Sequence, residues 1–141
     1  MFSVSTQVRY ALRALLYIAE HRDESPVPLT QIAEEEEISK KYLENIFTLL
    51  KRGGLVVSSR GPVGGYSLAI TPENLRLYDI VLAVDGRPRL VDCVDDPEAC
   101  ARQATCDSRS VWDDFQGEMD NFLKSRTLES ILSNENNEVK T

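Results

Sequence analysis

Apolar residues recur every three or four positions in several stretches of the chain, the spacing that places side chains on one face of an α-helix. The first stretch predicts a helix from Val4 to His21, and a shorter one begins after Pro28. A third follows Ser39, a residue type that favours a helix N-cap, and ends at Gly53-Gly54. The second and third stretches therefore predict a helix-turn-helix, with Ile38 filling the turn.

The third predicted helix has two distinct sides. Its apolar positions are Leu43, Ile46, Phe47, Leu49 and Leu50. Its polar positions, at spacings of one and three, are Lys40, Lys41, Glu44, Asn45, Thr48, Lys51 and Arg52. This pattern predicts a buried face and an exposed face rich in cations.

Two short β-type segments follow directly. Leu55–Ser59 is β-branched, and Tyr66–Ile70 alternates apolar with polar residues, so we expect two strands. The segment between them, Arg60–Gly65, holds three glycines and predicts a tight hairpin loop. A helix-turn-helix followed by such a wing is typical of proteins that bind double-stranded DNA. Arg60 at the start of a thin loop suits a narrow, electronegative minor groove.

The second half of the chain predicts a dimerising arm. We expect a short helix over Leu77–Val84, a loop over residues 91–107, and a long final helix capped by Ser108. That helix carries a large apolar stripe of Val111, Trp112, Phe115, Met119, Phe122 and Leu123. A chain this small has difficulty covering such a stripe, which favours a two-fold homodimer. The alternative is that the stripe folds back onto its own winged helix.

We therefore predict a mainly α fold with a small β-hairpin: a winged helix-turn-helix plus a long C-terminal dimerisation helix. The expected division is a DNA-binding domain at 1–76, a cysteine loop and dimerisation helix at 77–133, and a frayed tail at 134–141. The length of 141 residues suits one compact unit with an appendage.

Charge is distributed unevenly along the chain. The formal net charge is −7, but residues 39–60 hold five basic side chains against one acid. That segment is +4, which leaves −11 for the remainder. Arg9 and Arg13 lie four residues apart on another helical face, as surface charges or as contacts to phosphate or a partner subunit. The N-terminus resembles neither a signal peptide nor a membrane anchor, and we expect a cytoplasmic protein.

An enzyme is not expected. The chain has a single histidine, His21, which the sequence places beside no nucleophile. The glycines at 61, 64 and 65 lie in the hairpin and not between a strand and a helix, so they do not form a nucleotide-binding motif.

Three cysteines, Cys93, Cys100 and Cys106, lie in one short segment. An odd number disfavours a complete set of internal disulfides and favours metal or redox chemistry. Three thiolates on one loop can hold an iron–sulfur cluster if a fourth ligand comes from elsewhere. Zinc, metal-free thiol redox chemistry and simple packing stay open as alternatives, although zinc sites more often use close Cys-x-x-Cys pairs, which are absent here.

Over about residues 3–133 the chain resembles the IscR/NsrR group of bacterial winged-helix regulators, the Rrf-type family. The matching segments are Arg-Tyr-Ala-Leu-Arg-Ala near the start, Ile38-Ser-x-x-Tyr-Leu-Glu44, Arg60-Gly-Pro-x-Gly-Gly-Tyr66 and the three cysteines. The resemblance implies a homodimer that binds an operator in double-stranded DNA under the control of an iron–sulfur cluster.

The resemblance also assigns residues. Glu44 is similar to the family's base-reading glutamate, which could accept a hydrogen bond from cytosine N4 in the major groove. Arg60 is similar to its minor-groove arginine, and the three cysteines to its cluster ligands. The complete predicted DNA-binding set is Ser39, Lys40, Lys41, Tyr42, Glu44, Asn45 and Arg60.

Two positions depart from the family pattern. Arg109 stands where IscR-like proteins carry a histidine three residues after the last cysteine, and Arg9 stands where NsrR-like proteins carry an aspartate. The fourth ligand, and the choice between a 2Fe–2S and a 4Fe–4S cluster, therefore stay open. Asp92, Asp107 or a residue of a partner chain could complete the site. The acidic run before Cys100 leans towards the nitric-oxide-sensing branch.

The sequence thus predicts a homodimeric DNA-binding transcriptional regulator controlled by an iron–sulfur cluster. Two alternatives stay open: a cluster-free regulator that responds to thiol oxidation or a metabolite, and a winged-helix module for protein–protein interaction.

Overall fold

The computed structural model describes residues 3–62, 64–90 and 108–139. The elements in chain order are α1 (Thr6–Glu20), a 3-10 turn (Arg22–Glu24), α2 (Leu29–Glu36), α3 (Lys40–Arg52), β1 (Val56–Ser59), β2 (Gly65–Leu68), α4 (Leu77–Asp85), α5 (Arg109–Ser125) and α6 (Leu128–Val139). The predicted order of a helix, a helix-turn-helix, a hairpin and a long late helix is confirmed. The expected loop at residues 91–107, with its cysteines, lies outside the described residues.

Each early helix begins where its capping chemistry predicts. The Ser5 hydroxyl accepts a hydrogen bond from the Val8 amide at 3.2 Å, and α1 starts at the next residue. Pro28 precedes α2, whose C-cap Glu37 adopts a left-handed backbone with φ 55°. The Ile38 amide then donates to the Ala33 carbonyl at 3.0 Å, which closes the turn into α3.

One hydrophobic core holds the winged helix together. Helices α1, α2, α3 and α4 all contribute side chains with no exposed surface, of which the largest are Phe47, Leu15, Ile18, Ile32, Leu43, Ile46, Leu50 and Ile80. Leu75, just before α4, is also fully buried. Leu128 from the start of α6 belongs to the same core. Its amide donates to the Leu75 carbonyl at 3.0 Å, while the Leu77 amide donates to Arg126 at 2.8 Å. These bonds fasten the end of α5 and the start of α6 to the beginning of α4.

Helix α4 begins with a charged cap. The Arg76 amide donates to the Asp79 carboxylate at 3.0 Å, and the Arg76 guanidinium pairs with the same carboxylate at 3.0 Å. The hydrogen bond from Asp79 and its negative charge raise the pKa of Arg76 above its ordinary value. This pair of residues fixes where α4 starts.

The wing is an antiparallel hairpin that is extended by a third segment. Val56 lies opposite Leu68 and Ser59 opposite Gly65. On the other side of β2, Val27 and Tyr66 exchange two backbone hydrogen bonds of 2.9 and 2.8 Å. The residue before Tyr66 must be glycine, because a Cβ at Gly65 would lie 2.3 Å from the Val27 carbonyl oxygen. The hairpin is thereby attached to the loop that precedes α2.

The C-terminal elements differ in detail from the sequence prediction. Ser108 is at the predicted N-terminus of α5, where its backbone carbonyl accepts from the amides of Val111 and Trp112 at 3.1 and 3.3 Å. A frayed tail was predicted from Asn134, but α6 runs to Val139. The pair Thr127 and Ser130 caps this helix by two reciprocal bonds of 3.1 and 2.9 Å between each hydroxyl and the other's amide. This cap satisfies backbone amides at the start of α6, where the apolar stripe of Leu128 and Leu132 packs on the core.

We expect Gly65→Ala to destabilise the fold by about 1–3 kcal/mol, because the added methyl group forces apart the backbones of Val27 and Tyr66. Gly117→Ala is the matched control. Gly117 lies in α5, and an added Cβ there would have no neighbour within 4 Å outside the helix. Alanine at this position should therefore raise the free energy of unfolding, by at most about 1 kcal/mol. Urea unfolding followed by circular dichroism measures both changes. A Gly65→Ala variant as stable as the parent would contradict this role for the glycine.

Candidate nucleic-acid interface and cysteine segment

The two predicted faces of α3 are both present. Leu43, Ile46, Phe47 and Leu50 are fully buried. The polar positions Lys40, Lys41, Glu44, Asn45, Thr48, Lys51 and Arg52 are all exposed. The buried row fixes the rotation of the helix about its axis, so it also decides which side chains meet solvent. An exposed α-helix edged with cations has the width and the charge that fit the major groove of DNA.

The N-terminal end of α3 is fixed by a cap and by an aromatic contact. The Ser39 hydroxyl accepts from the Tyr42 amide at 3.4 Å, the predicted N-cap. The half-buried Tyr42 ring meets Tyr10 edge-to-face, with 5.6 Å between centroids. These rings and Thr6 line a shallow cleft beside Ser39. Tyr42 therefore lines this cleft and packs on Tyr10, a contact that the sequence did not predict.

Glu44 lies one turn further along, exposed among cations. Its backbone carbonyl accepts from the Thr48 hydroxyl at 2.9 Å, which orders the outer surface of the helix. An acid in this position repels phosphate, so it is useful on a DNA-facing surface only if it meets a hydrogen-bond donor on a base edge.

The wing lies beside the C-terminal end of α3. The ammonium group of Lys51 donates to the Ser58 hydroxyl on β1 at 2.9 Å. Arg60 is exposed at the start of the loop, which turns at Gly61 with φ 106°. The link between Lys51 and Ser58 was not predicted, because residues seven apart on a helix and a strand show no common periodicity in the sequence.

The arginines of α1 divide into two environments. Arg13 pairs with the Glu36 carboxylate at 3.3 Å and also donates to the Glu36 backbone carbonyl. Its guanidinium lies 5.4 Å from the centroid of the Tyr10 ring. Arg9 donates to the Thr6 hydroxyl at 3.1 Å and is exposed. Arg13 therefore joins α1 to the end of α2, a role that the sequence left open.

Cys93, Cys100 and Cys106 lie outside the described residues, so their predicted role as ligands stays a prediction. Within the described ranges no group of three His, Cys, Asp or Glu side chains could hold a metal ion. His21 stacks on Tyr17 with 4.0 Å between ring centroids, and its Nδ1 lies 2.7 Å from the Tyr17 carbonyl oxygen. Both contacts are structural.

Helix α5 packs against α4 by only part of its apolar stripe. Val111, Phe115 and Phe122 are 58%, 44% and 52% exposed. Met119 and Leu123 are half-buried and line a cavity of about 570 Å³ between α5, the end of α4 and the start of α1. The winged helix therefore does not cover the stripe.

In the described part of the chain, no helix is long and apolar enough to cross a membrane.

A winged helix-turn-helix with a cationic recognition face defines a DNA-binding protein. The family model Rrf2, described as an iron-dependent transcriptional regulator, matches residues 4–134. This chain belongs to the Rrf2 family and is a DNA-binding transcriptional regulator, not an enzyme, as the sequence predicted.

Relatives and solved structures agree with this assignment. The chain is 36% identical over 137 residues to the HTH-type transcriptional regulator IscR of Aliivibrio salmonicida, which covers 96% of this chain and 81% of the relative. It is similar to the structure of CymR (YrzC), the global cysteine regulator of B. subtilis, with a TM-score of 0.78 and 32% identity over 94% of this chain and 98% of the other. It is also similar to T. potens IscR, with a TM-score of 0.76 and 31% identity over 95% and 88% of the two chains.

Proposed function

We propose that this chain is a homodimeric regulator whose affinity for its operator is controlled at the cysteine segment by an iron–sulfur cluster. The observation that carries the proposal is the exposed row on α3, which is held outward by four fully buried residues on the opposite side. Control at the cysteines is supported by three soft thiol ligands in one short segment and by the description of the family as iron-dependent.

In the proposed complex α3 enters the major groove. Glu44 accepts a hydrogen bond from cytosine N4, while Lys40, Lys41 and Asn45 contact the phosphates and adjacent bases. Ser39 and Tyr42 place the start of α3 against the sugar-phosphate backbone of the DNA. Arg60 at the tip of the wing enters the adjacent minor groove.

The exposed apolar stripe of α5 supports the homodimer. Phe115 and Phe122 are about half exposed, so burying the remainder of each ring against a second copy would stabilise the dimer by roughly 1 kcal/mol per ring. A two-fold pair of recognition helices then reads half-sites about one turn, roughly 34 Å, apart on a near-palindromic operator.

Cys93, Cys100 and Cys106 would hold the cluster through their thiolates. A cluster with an incomplete set of thiolate ligands supplies iron–sulfur bonds that oxidants or nitric oxide can break. Such control requires that the two states of the cysteine segment differ in their affinity for DNA.

A second candidate is a cluster-free regulator in which the cysteines or a metabolite act directly. The similarity to a global cysteine regulator favours it. So does Arg109, which is half-buried at the start of α5 where the IscR-like pattern has a histidine.

For Glu44→Ala we expect little loss of affinity for random DNA and a loss of about 1–3 kcal/mol in discrimination at one base pair of the operator. The alanine removes an acceptor for cytosine N4 and also removes repulsion from phosphate. Binding titrations on the operator and on single-base variants measure this, with Glu118→Ala on α5 as the control for loss of an acid. An equal loss of affinity for all sequences would rule out base reading by Glu44.

Replacing Arg60 by alanine should weaken operator binding on the order of tenfold, because one charge-assisted contact in the minor groove is lost. The slope of log affinity against log salt should also fall by about 1. Arg22→Ala is the control: it removes the same charge from the 3-10 turn after α1, where the Arg22 guanidinium donates to the Ala19 carbonyl at 3.1 Å. Identical titrations for Arg60→Ala and the parent would exclude the wing from the complex.

The proposed cofactor is tested by an absorption spectrum with iron and sulfide analysis on protein purified without oxygen. We expect visible bands and matched iron and sulfide, both lost in a variant with all three cysteines replaced by serine. A protein that stays colourless after reconstitution, and whose operator affinity changes on thiol oxidation, would instead establish the second candidate.

A further inference from the structure

Gln116 is the one buried polar or charged side chain in the described part of the chain. It lies in the middle of α5 and is 3% exposed. A glutamine in this position is costly unless its amide is hydrogen-bonded, because the protein interior provides no water to replace a missing partner. The partners of the Gln116 amide therefore show which segments of the chain this side chain connects.

The Gln116 side chain bonds two backbone groups on either side of Arg89, in the segment after α4. Its Oε1 accepts from the Leu90 amide at 2.9 Å, and its Nε2 donates to the Pro88 carbonyl at 2.8 Å. The same Nε2 donates to the Asp120 carboxylate at 3.0 Å, one turn further along α5. Since a backbone amide can only donate, the Leu90 bond also fixes which end of the Gln116 side chain faces which partner.

The clamped backbone leads directly to the cysteines. Cys93 is three residues after Leu90, and three extended residues span at most about 10 Å. A change in the bonding of Cys93 must therefore be absorbed within this short connection or alter the bonds between Gln116 and the backbone of Pro88 and Leu90.

On its other side, α5 is joined to the recognition helix through α4. Helix α5 packs against α4, and α4 packs against the end of α3. The two helices approach closely at that end, because a side chain on Gly53 would have its Cβ only 2.8 Å from the Ala83 Cβ. Since packed interiors leave few voids, a shift of α4 towards Gly53 would press on the end of α3.

We propose that Gln116 is the positioning residue that passes the state of the cysteine segment to α5 and, across α4, to the recognition helix. The inference rests on the proposed control of DNA affinity at that segment. It adds the side chain that couples the two.

The test compares two states of the full-length protein. One is the protein as purified without oxygen, and the other is the same protein after iron chelation and alkylation of its thiols with iodoacetamide. For each state the affinity for an operator selected from random DNA is titrated, and amide hydrogen exchange is followed at Leu90 and along α5.

Three variants make the comparison specific. Gln116→Leu keeps the approximate volume and removes all three bonds. Gln116→Glu can still accept from Leu90 and, as a carboxylate, cannot donate to Pro88. It provides a polar alternative if the leucine variant does not fold. Asp120→Asn is the matched control, because it leaves both bonds to the 88–90 backbone in place.

We expect the parent and Asp120→Asn to show a ratio of operator affinities between the two states of about 5–150-fold, the usual range for allosteric coupling. In Gln116→Leu the ratio should fall to within about twofold of unity, and Leu90 exchange should become about tenfold faster. Exchange along α5 should then no longer depend on the state of the cysteines. A full parental ratio in Gln116→Leu, together with fast Leu90 exchange, would overturn the inference.

Failure of the proposed function gives a different result. If the parent binds its operator equally well in both states, control at the cysteines is wrong, and exchange along α5 decides the role of Gln116 separately. A state-dependent difference in the parent that Gln116→Leu abolishes supports the coupling. Identical exchange along α5 in both states of the parent refutes it.

Discussion

The packing of one side of α3 into the core is the interaction on which the rest of the structure depends. Leu43, Ile46, Phe47 and Leu50 have no exposed surface. At about 1.5–3 kcal/mol for each such side chain, their burial outweighs the surface pair of Arg13 and Glu36, which contributes at most about 1 kcal/mol. Rotating α3 would expose these side chains, so the same burial that stabilises the fold also holds the recognition face outward.

The wing depends on α3 and on Gly65, which leaves room for the backbone of Val27. Lys51 joins the end of α3 to Ser58 on β1, and the exchange of bonds between Val27 and Tyr66 joins β2 to the loop before α2. A two-stranded hairpin alone is only marginally stable in water. Its attachment on both sides therefore gives Arg60 a defined place beside the recognition helix, within reach of a neighbouring groove.

Helix α4 connects the DNA-binding elements to the late helices. It touches α1, α3 and α5, and its cap between Arg76 and Asp79 lies beside the backbone bonds that hold the start of α6. A displacement of α5 against α4 therefore has a short physical route to α3. Gln116 is a buried polar group that bonds the backbone of Pro88 and Leu90 as well as the Asp120 side chain, and that backbone continues towards Cys93.

The sequence alone determined the elements from α1 to α5, the two faces of α3 and the family, because these depend on local spacing and on short motifs such as Ser39 to Glu44. Periodicity also showed that α5 carries more apolar surface than a small chain can cover. Only the tertiary structure decided the partners of Arg13, Lys51 and Gln116. Each of these contacts joins separate elements and depends on the direction in which one polar side chain points. The spacing of hydrophobic residues does not predict which partner such a side chain reaches.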